Sequence, residues 1–411
     1  MHPRWINKRI ERLLTVMPAV FLQGARQVGK TTLARQLVSQ GLLDAYFTLD
    51  DPGVLEAAKR DPVQFVRDLP PHAVIDEVQR APEVLLPLKM RIDAERRQVR
   101  FLLTGSASPL ALPQVADALV GRMAVLTLHP LSQGEIQGVC ETWLHRAFRG
   151  EFAMQRVETT SEDIWGRIQR GGYPEAVRIE DATLRTEWLR AYVNTLLTRD
   201  VRLLADIERV ADLTRLLQLL ATLSYQILNL SNLSRETGIA YTTLQRYLNL
   251  LETLMVVIRI PPWYANLSKQ LLKSPRVMLN DTGLALALLR KGETTLEEDP
   301  LLRGRMLETF VGMEILKQIE YANASMRLYH LRSSKGEEID FVIEDEQGQL
   351  LGVEVKSSAT VSAGDFKRLQ QFGELLGARW TGGIVLYLGD MQLPFGERQW
   401  ALPVASLWSA S

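Results

Sequence analysis

One eight-residue stretch constrains this chain more than any other: Gly24-Ala25-Arg26-Gln27-Val28-Gly29-Lys30-Thr31 fits G-x-x-x-x-G-K-[ST] in full. The apolar run Ala19-Val20-Phe21-Leu22 precedes it and a helical pattern, Thr31-Thr32-Leu33-Ala34, follows, which is the strand–loop–helix context the motif requires. The glycines let the backbone curl so that its N–H groups face phosphates, and the helix adds the positive end of its dipole. In this reading Gly24 to Thr32 bind ATP, Lys30 reaches the β- and γ-phosphates, and Thr31 ligates Mg²⁺. The alternative is a chance glycine turn.

Such a loop belongs to a parallel sheet covered by helices. Further short apolar runs, Tyr46 to Leu49, Ala73 to Asp76, Val99 to Leu103 and Ala124 to Leu128, alternate with helical patterns as that sheet demands. The expected class is α/β multidomain. Its parts are a P-loop domain over 1–150, a helical connector over 151–212, a winged helix-turn-helix over 213–266 and a mixed α/β domain over 267–411. The connector reads as helix from about Glu151 to Asp206, interrupted by the turn Gly171-Gly172-Tyr173-Pro174. Lys+Arg and Asp+Glu number 48 each, which excludes a bulk basic nucleic-acid coat or an acidic tail and confines any nucleic-acid contact to a local patch. The single cysteine, Cys140, forms no intrachain disulfide, and no stretch reaches the ~18 apolar residues a membrane span needs. A reducing cytoplasm is the expected compartment, with no membrane. Five histidines, His2, His72, His129, His145 and His330, lie without zinc-ligand spacing.

Ala73-Val74-Ile75-Asp76-Glu77 is an apolar strand that ends in two carboxylates. Asp76, at the strand tip, is placed to hold Mg²⁺ through water, and Glu77 to polarise an attacking water. The bland reading makes Glu77 the start of an exposed turn. Leu102-Leu103-Thr104-Gly105-Ser106 brings the hydroxyls of Thr104 and Ser106 to another strand end, suited to the γ-phosphate or the water. Arg122 is a candidate arginine finger, in cis or across subunits; the alternative is a solvated surface arginine.

Together these segments, with Leu119-Val120-Gly121-Arg122, His129-Pro130-Leu131-Ser132, Asn280-Asp281-Thr282-Gly283, Gly304 to Val311, Glu338 to Phe341 and Gly352 to Lys356, resemble the AAA+ ATP-binding proteins of bacteria and archaea that carry a C-terminal domain of unknown function. The resemblance covers nearly the whole chain. It implies an AAA+ ATPase module joined to a winged helix and a restriction-endonuclease-like domain.

Leu230 to Ile239, followed by Ala240 to Leu254, has the shape of a helix-turn-helix with Gly238 at the turn. Leu244, Leu248 and Leu251 form the buried stripe of its second helix, leaving Tyr241, Thr242, Thr243, Gln245, Arg246 and Asn249 as candidate DNA contacts. Met255 to Ile260 supplies a wing strand. Only Arg246 on that face is cationic, so a packing or subunit-contact role stands beside DNA binding.

Glu338 to Ser358 reads as an antiparallel hairpin turning near Gln347-Gly348. Burying Ile339, Phe341 and Ile343 on the same side as Leu351, Val353 and Val355 pairs 339 with 355 and 341 with 353. Asp340 then lies opposite Glu354, with Lys356 on the same face and Glu308 approaching from the preceding helix. The group is similar to the PD-(D/E)xK nuclease motif, in which Asp340 and Glu354 would hold Mg²⁺ and Lys356 would assist water. A solvated charge pair is the bland alternative.

The expected function is an oligomeric ATPase that couples hydrolysis to binding, remodelling or processing of DNA, branched or single-stranded DNA included. A nucleotide-driven switch acting on a protein partner with an inert carboxylate cluster, and an ATP-dependent endonuclease, are the alternatives.

Overall fold

The computed structural model describes residues 2–106, 121–201, 210–264, 274–290, 296, 298–322, 325–332 and 337–409. Leu119 and Val120 of the finger motif, the end of the connector near Asp206, and the 266/267 boundary lie outside the described residues. The chain divides into two units, one of residues 4–131 with 251–256, the other of 1–3, 132–250 and 257–411.

The first unit is built on five strands, β1 (Ala19–Gln23), β2 (Ala45–Thr48), β3 (His72–Asp76), β4 (Arg100–Gly105) and β5 (Met123–Thr127), ordered β2-β3-β4-β1-β5 and all parallel. β1, β3 and β4 are buried almost end to end, which is why they read as continuous apolar runs. Phe21, Ile75, Phe101 and Leu103 form one core with Val84, Leu88 and Ile92 of the segment between β3 and β4. Because the strands are parallel, Gln23, Thr48, Asp76, Gly105 and Thr127 end on one edge, where such sheets place their ligands.

In the second unit, helices Ser161–Arg170, Pro174–Arg178 and Ala182–Thr195 follow the predicted connector from residue 161 on. Residues before them differ from expectation. Glu151 to Thr160 read as helix but run extended, with Val157 N–H donating to Asp390 O at 2.7 Å and Gln392 N–H to Gln155 O at 2.8 Å. Those tertiary hydrogen bonds, and Phe152 packed 5.8 Å from the Trp400 ring centre, override the local helical preference. Two glycine turns interlock further on: the buried Asp281 carboxylate caps helix Thr282–Leu289 through Leu284 N–H at 2.8 Å and accepts Gly172 N–H at 2.6 Å. A Cβ at Gly171, whose φ is +71°, would sit 2.3 Å from Asp281 Oδ1, so the close approach requires glycine.

Helices Leu230–Thr237 and Tyr241–Thr253 form the expected pair, with Gly238 at φ +72° closing the first. β6 (Gln226–Ile227), β7 (Val257–Ile260) and β8 (Arg276–Leu279) make a three-stranded sheet ordered β6-β8-β7. β7 falls within the run Met255 to Ile260, where the sequence predicts a strand.

The remaining strands are β9 (Arg327–Arg332), β10 (Glu338–Glu344), β11 (Leu350–Lys356), β12 (Trp380–Tyr387), β13 (Leu393–Gly396) and β14 (Gln399–Pro403), in a mixed sheet ordered β13-β14-β12-β11-β10-β9. β10 and β11 are antiparallel and pair Phe341 with Val353, as the alternation predicts, about a turn at Gly348. The predicted 339–355 pairing is replaced. The ladder with β11 ends at Phe341–Val353, where Val355 N–H donates to the Asp340 carboxylate at 2.9 Å, and a bulge between Ile339 and Val342 shifts the register of β10 against β9. It also separates the predicted apolar face: Ile339 joins Val342, Leu369 and Phe372, whereas Phe341 packs against Tyr225 and Gly312.

Candidate functional site

The nucleotide loop leaves β1 at Gly24, whose Cα lies so close to the chain that a Cβ would stand 2.4 Å from Leu128 O. Ala25 and Val28 are buried, Gln27 turns through φ +62°, and Gly29, at φ +101°, opens helix Lys30–Ser39 without a side-chain cap. The first helical N–H groups, those of Lys30, Thr31 and Thr32, therefore have no intrahelical acceptor and suit an anion. Lys30 is 5% exposed, and its Nζ donates to Gly24 O at 2.8 Å and Ala25 O at 3.0 Å. Arg26, within the loop, is half-buried and Thr32 is exposed. The donor set fits a triphosphate: backbone N–H groups, one buried ammonium and a helix start.

Asp76, at the end of β3, is the node of the site. Its Oδ2 accepts from Thr31 Oγ1 at 2.9 Å and from Tyr46 OH at 2.5 Å, while Oδ1 accepts from Thr104 Oγ1. Loop, β2, β3 and β4 thus converge on one carboxylate. Burial, then the hydrogen bond and charge of Asp76, push the Tyr46 hydroxyl up to about 12. Glu77 adopts the left-handed region at φ +57°, with its N–H on Thr104 Oγ1 at 3.1 Å. Its carboxylate accepts from Gln79 Nε2 and, at 3.4 Å, from Ser106 Oγ, and Gln79 Nε2 also meets Ser106 at 3.1 Å. Arg122 holds both oxygens of Asp93, at 2.5 and 2.9 Å. Tyr46 and Gln79 escaped the sequence reading. Tyr46 was legible as a polar aromatic inside a strand next to a carboxylate-tipped one; Gln79 had no signal of its own.

On the second helix of the middle pair, Tyr241, Thr242, Gln245, Arg246 and Asn249 are exposed and Thr243 is half-buried. Asn249 Oδ1 accepts from Arg259 of β7 at 2.9 Å. Leu244, Leu248 and Leu251 are fully buried.

The C-terminal candidates share a cavity of about 490 Å³ lined by Glu308, Glu338, Asp340, Glu354, Lys356, Arg276 and Arg332 among others. Glu308 lies on helix Pro300–Tyr321, and Lys356 Nζ stands 3.6 Å from Glu354 Oε2. Burial, then the charge of Asp340, push the Glu308 and Glu354 carboxyls well up; burial raises Asp340 too, against the pull of Arg276. Among the described residues no group of three or more His, Cys, Asp or Glu is placed to enclose a metal. A divalent ion here would rest on Asp340 and Glu354 and complete its shell with phosphate oxygens and water. Arg276 was missed by the sequence reading, although a cation heading the apolar run Val277-Met278-Leu279 was the available signal. No helix among the described residues is long and apolar enough to cross a membrane.

The family model of the AAA domain matches residues 17–137, a domain of unknown function (DUF8612) matches 161–295, and a second (DUF4143) matches 303–407. The proteins Rv2008c of Mycobacterium tuberculosis and Mb2031c of Mycobacterium bovis, both described as uncharacterized, are each 30% identical over 397 residues, spanning 96% of this chain and 82% of theirs. Among solved structures, a Thermotoga maritima RuvB is 19% identical over 62% of this chain and 86% of that one, with a TM-score of 0.30. An AMPPCP-bound DnaA from Aquifex aeolicus is 13% identical over 60% and 86%, with a TM-score of 0.29. The chain belongs to the family of Rv2008c, AAA-domain P-loop ATPases that continue into DUF8612 and DUF4143 domains.

Proposed function

We propose that the chain hydrolyses ATP at the loop Gly24–Thr31 and uses the cycle to act on DNA through its middle and C-terminal segments, as a homo-oligomer. The observation that carries the ATPase reading is the convergence of Thr31, Tyr46 and Thr104 on the Asp76 carboxylate. Lys30, which now holds two loop carbonyls, exchanges them for phosphate oxygens. Thr31 and Asp76 would hold Mg²⁺, which when bound offsets the negative charge of the phosphates. Glu77 orients the attacking water, and Gln79 and Ser106 fix its carboxylate. Arg122, in releasing Asp93, is the candidate finger for its own or a neighbouring site. The DNA half of the reading is supported by the exposed polar face Tyr241 to Asn249 on a helix-turn-helix with a wing strand, the winged-helix arrangement.

The test is the steady-state ATPase rate with Mg²⁺, alone and with single-stranded, duplex and branched DNA, using Lys30→Ala as the blank. We expect Glu77→Gln to lower kcat by about 10²-fold or more while nucleotide still binds. Stimulation by one DNA class supports coupling; a rate indifferent to every DNA overturns it and favours the switch on a protein partner.

A second reading, phosphodiester cleavage at a restriction-endonuclease-like site, is favoured by the cavity that gathers Glu308, Asp340, Glu354 and Lys356. It predicts metal-dependent nicking that Asp340→Ala removes with ATPase intact.

A further inference from the structure

Arg276 is 4% exposed, and it enters the C-terminal cavity from β8 of the middle segment. Its guanidinium lies over the Tyr225 ring, 4.6 Å from the centre, with Nη1 on Tyr225 O at 3.3 Å. Nη2 reaches Glu338 Oε2 at 2.5 Å, and Arg332 Nε reaches the other oxygen, Oε1, at 3.1 Å. One carboxylate is thus held between two guanidinium groups at the cavity wall. Two residues that line the cavity each keep one buried atom without a hydrogen-bond partner: Arg276 its Nε, a donor, and Glu354 its Oε1, an acceptor. An unpaired buried polar atom is unfavourable, so a ligand that satisfies both residues is favoured.

A ligand that offers anionic oxygens to the arginines and a cation to Glu354 meets both needs. A phosphate ester carrying a divalent ion offers both, and two of its oxygens can bridge the two guanidinium groups as those of the Glu338 carboxylate do. We propose that Arg276 and Arg332 form a phosphate seat which Glu338 fills in this conformation, and that a phosphate ester binds by displacing the Glu338 carboxylate. The inference rests on the phosphodiester reading of the cavity and adds to it a residue from the middle segment and a built-in competitor. A competitor on the same chain lowers apparent affinity by the fraction of time the seat is open, so removing its charge tightens binding.

The test uses the full chain, its P-loop saturated with a non-hydrolysable ATP analogue so that added phosphate reports on the cavity. Two probes are titrated with Mg²⁺ present: inorganic phosphate, followed by ³¹P NMR, and a short 5′-labelled single-stranded oligonucleotide, followed by anisotropy. We expect Glu338→Gln to tighten both by about tenfold, and Arg332→Gln, at a half-exposed position that spares the fold, to weaken both. Phosphate that follows this order while the oligonucleotide binds no variant upholds the seat and overturns the phosphodiester reading. Binding of both probes that neither substitution changes in the expected direction overturns the seat and spares that reading. Absence of binding by either probe, in the parent and in Glu338→Gln, overturns both.

Discussion

Glu141 shows how much one buried carboxyl can matter. Its Oε1 accepts Ser132 Oγ at 2.5 Å and Gly134 N–H at 2.9 Å, and a Cβ on Gly134 would lie 2.1 Å from the carboxyl carbon. Burial pushes this acid from 4.5 up to about 7; the Ser132 hydroxyl opposes that rise and the charge of Glu314 adds to it. The charge of Glu141 also acts on Tyr321, which feels Glu135 and Glu314 as well, and Lys317 pairs with Glu314 at 2.7 Å. A folded value above the unfolded one means that the native protein holds the proton more tightly. The Glu141 contribution to stability therefore falls as pH rises from 4.5 to about 7 and is level above. Glu141→Gln should remove that fall, gaining up to about 3 kcal/mol on the parent across the interval. Melting temperatures of both proteins at a series of pH values check it; parallel curves would show that Glu141 does not titrate there.

At the scale of elements, the sequence was most readable where one period governed a segment. The five strands of the parallel sheet, the loop after β1 and the Leu244–Leu248 stripe all follow from runs or spacings that leave little choice. It was least readable where a partner distant in sequence decided. Glu151 to Thr160 lost a helix to hydrogen bonds from 390–392, and the bulge in β10 broke an alternation that by itself looked regular. The same division runs through the candidate sites. Lys30, Thr31, Asp76 and Glu77 announce themselves by motif, whereas Arg276, Arg332 and Glu338 acquire meaning only once three strands meet around one cavity. For the helix Tyr241–Thr253 the DNA reading makes a measurable demand of its one exposed cation. If Arg246 neutralises a phosphate, Arg246→Ala should weaken all DNA alike and make the slope of log K against log salt shallower by about 0.9. An unchanged slope would assign the face to packing or subunit contact.

Taken whole, the chain does not part where its sequence families do. The AAA-domain match runs to residue 137, yet the contacts change hands between Leu131 and Ser132. Helix Gln133–Gln137 carries a capping box from Ser132, and Gln133 N–H donates to the fully buried Glu314 at 2.8 Å. A fragment of residues 132–411 keeps these donors, while one of 138–411 leaves Glu141 and Glu314 without them. The shorter fragment should melt lower, by about 1–3 kcal/mol for each carboxylate oxygen stripped of its donor. The six residues 132–137 thus act as a plug fitted to the far side of the junction. An exchange of ATPase modules between relatives that cut at 137 would import a plug shaped for another socket, whereas a cut after Leu131 would leave plug and socket in the hands of one parent.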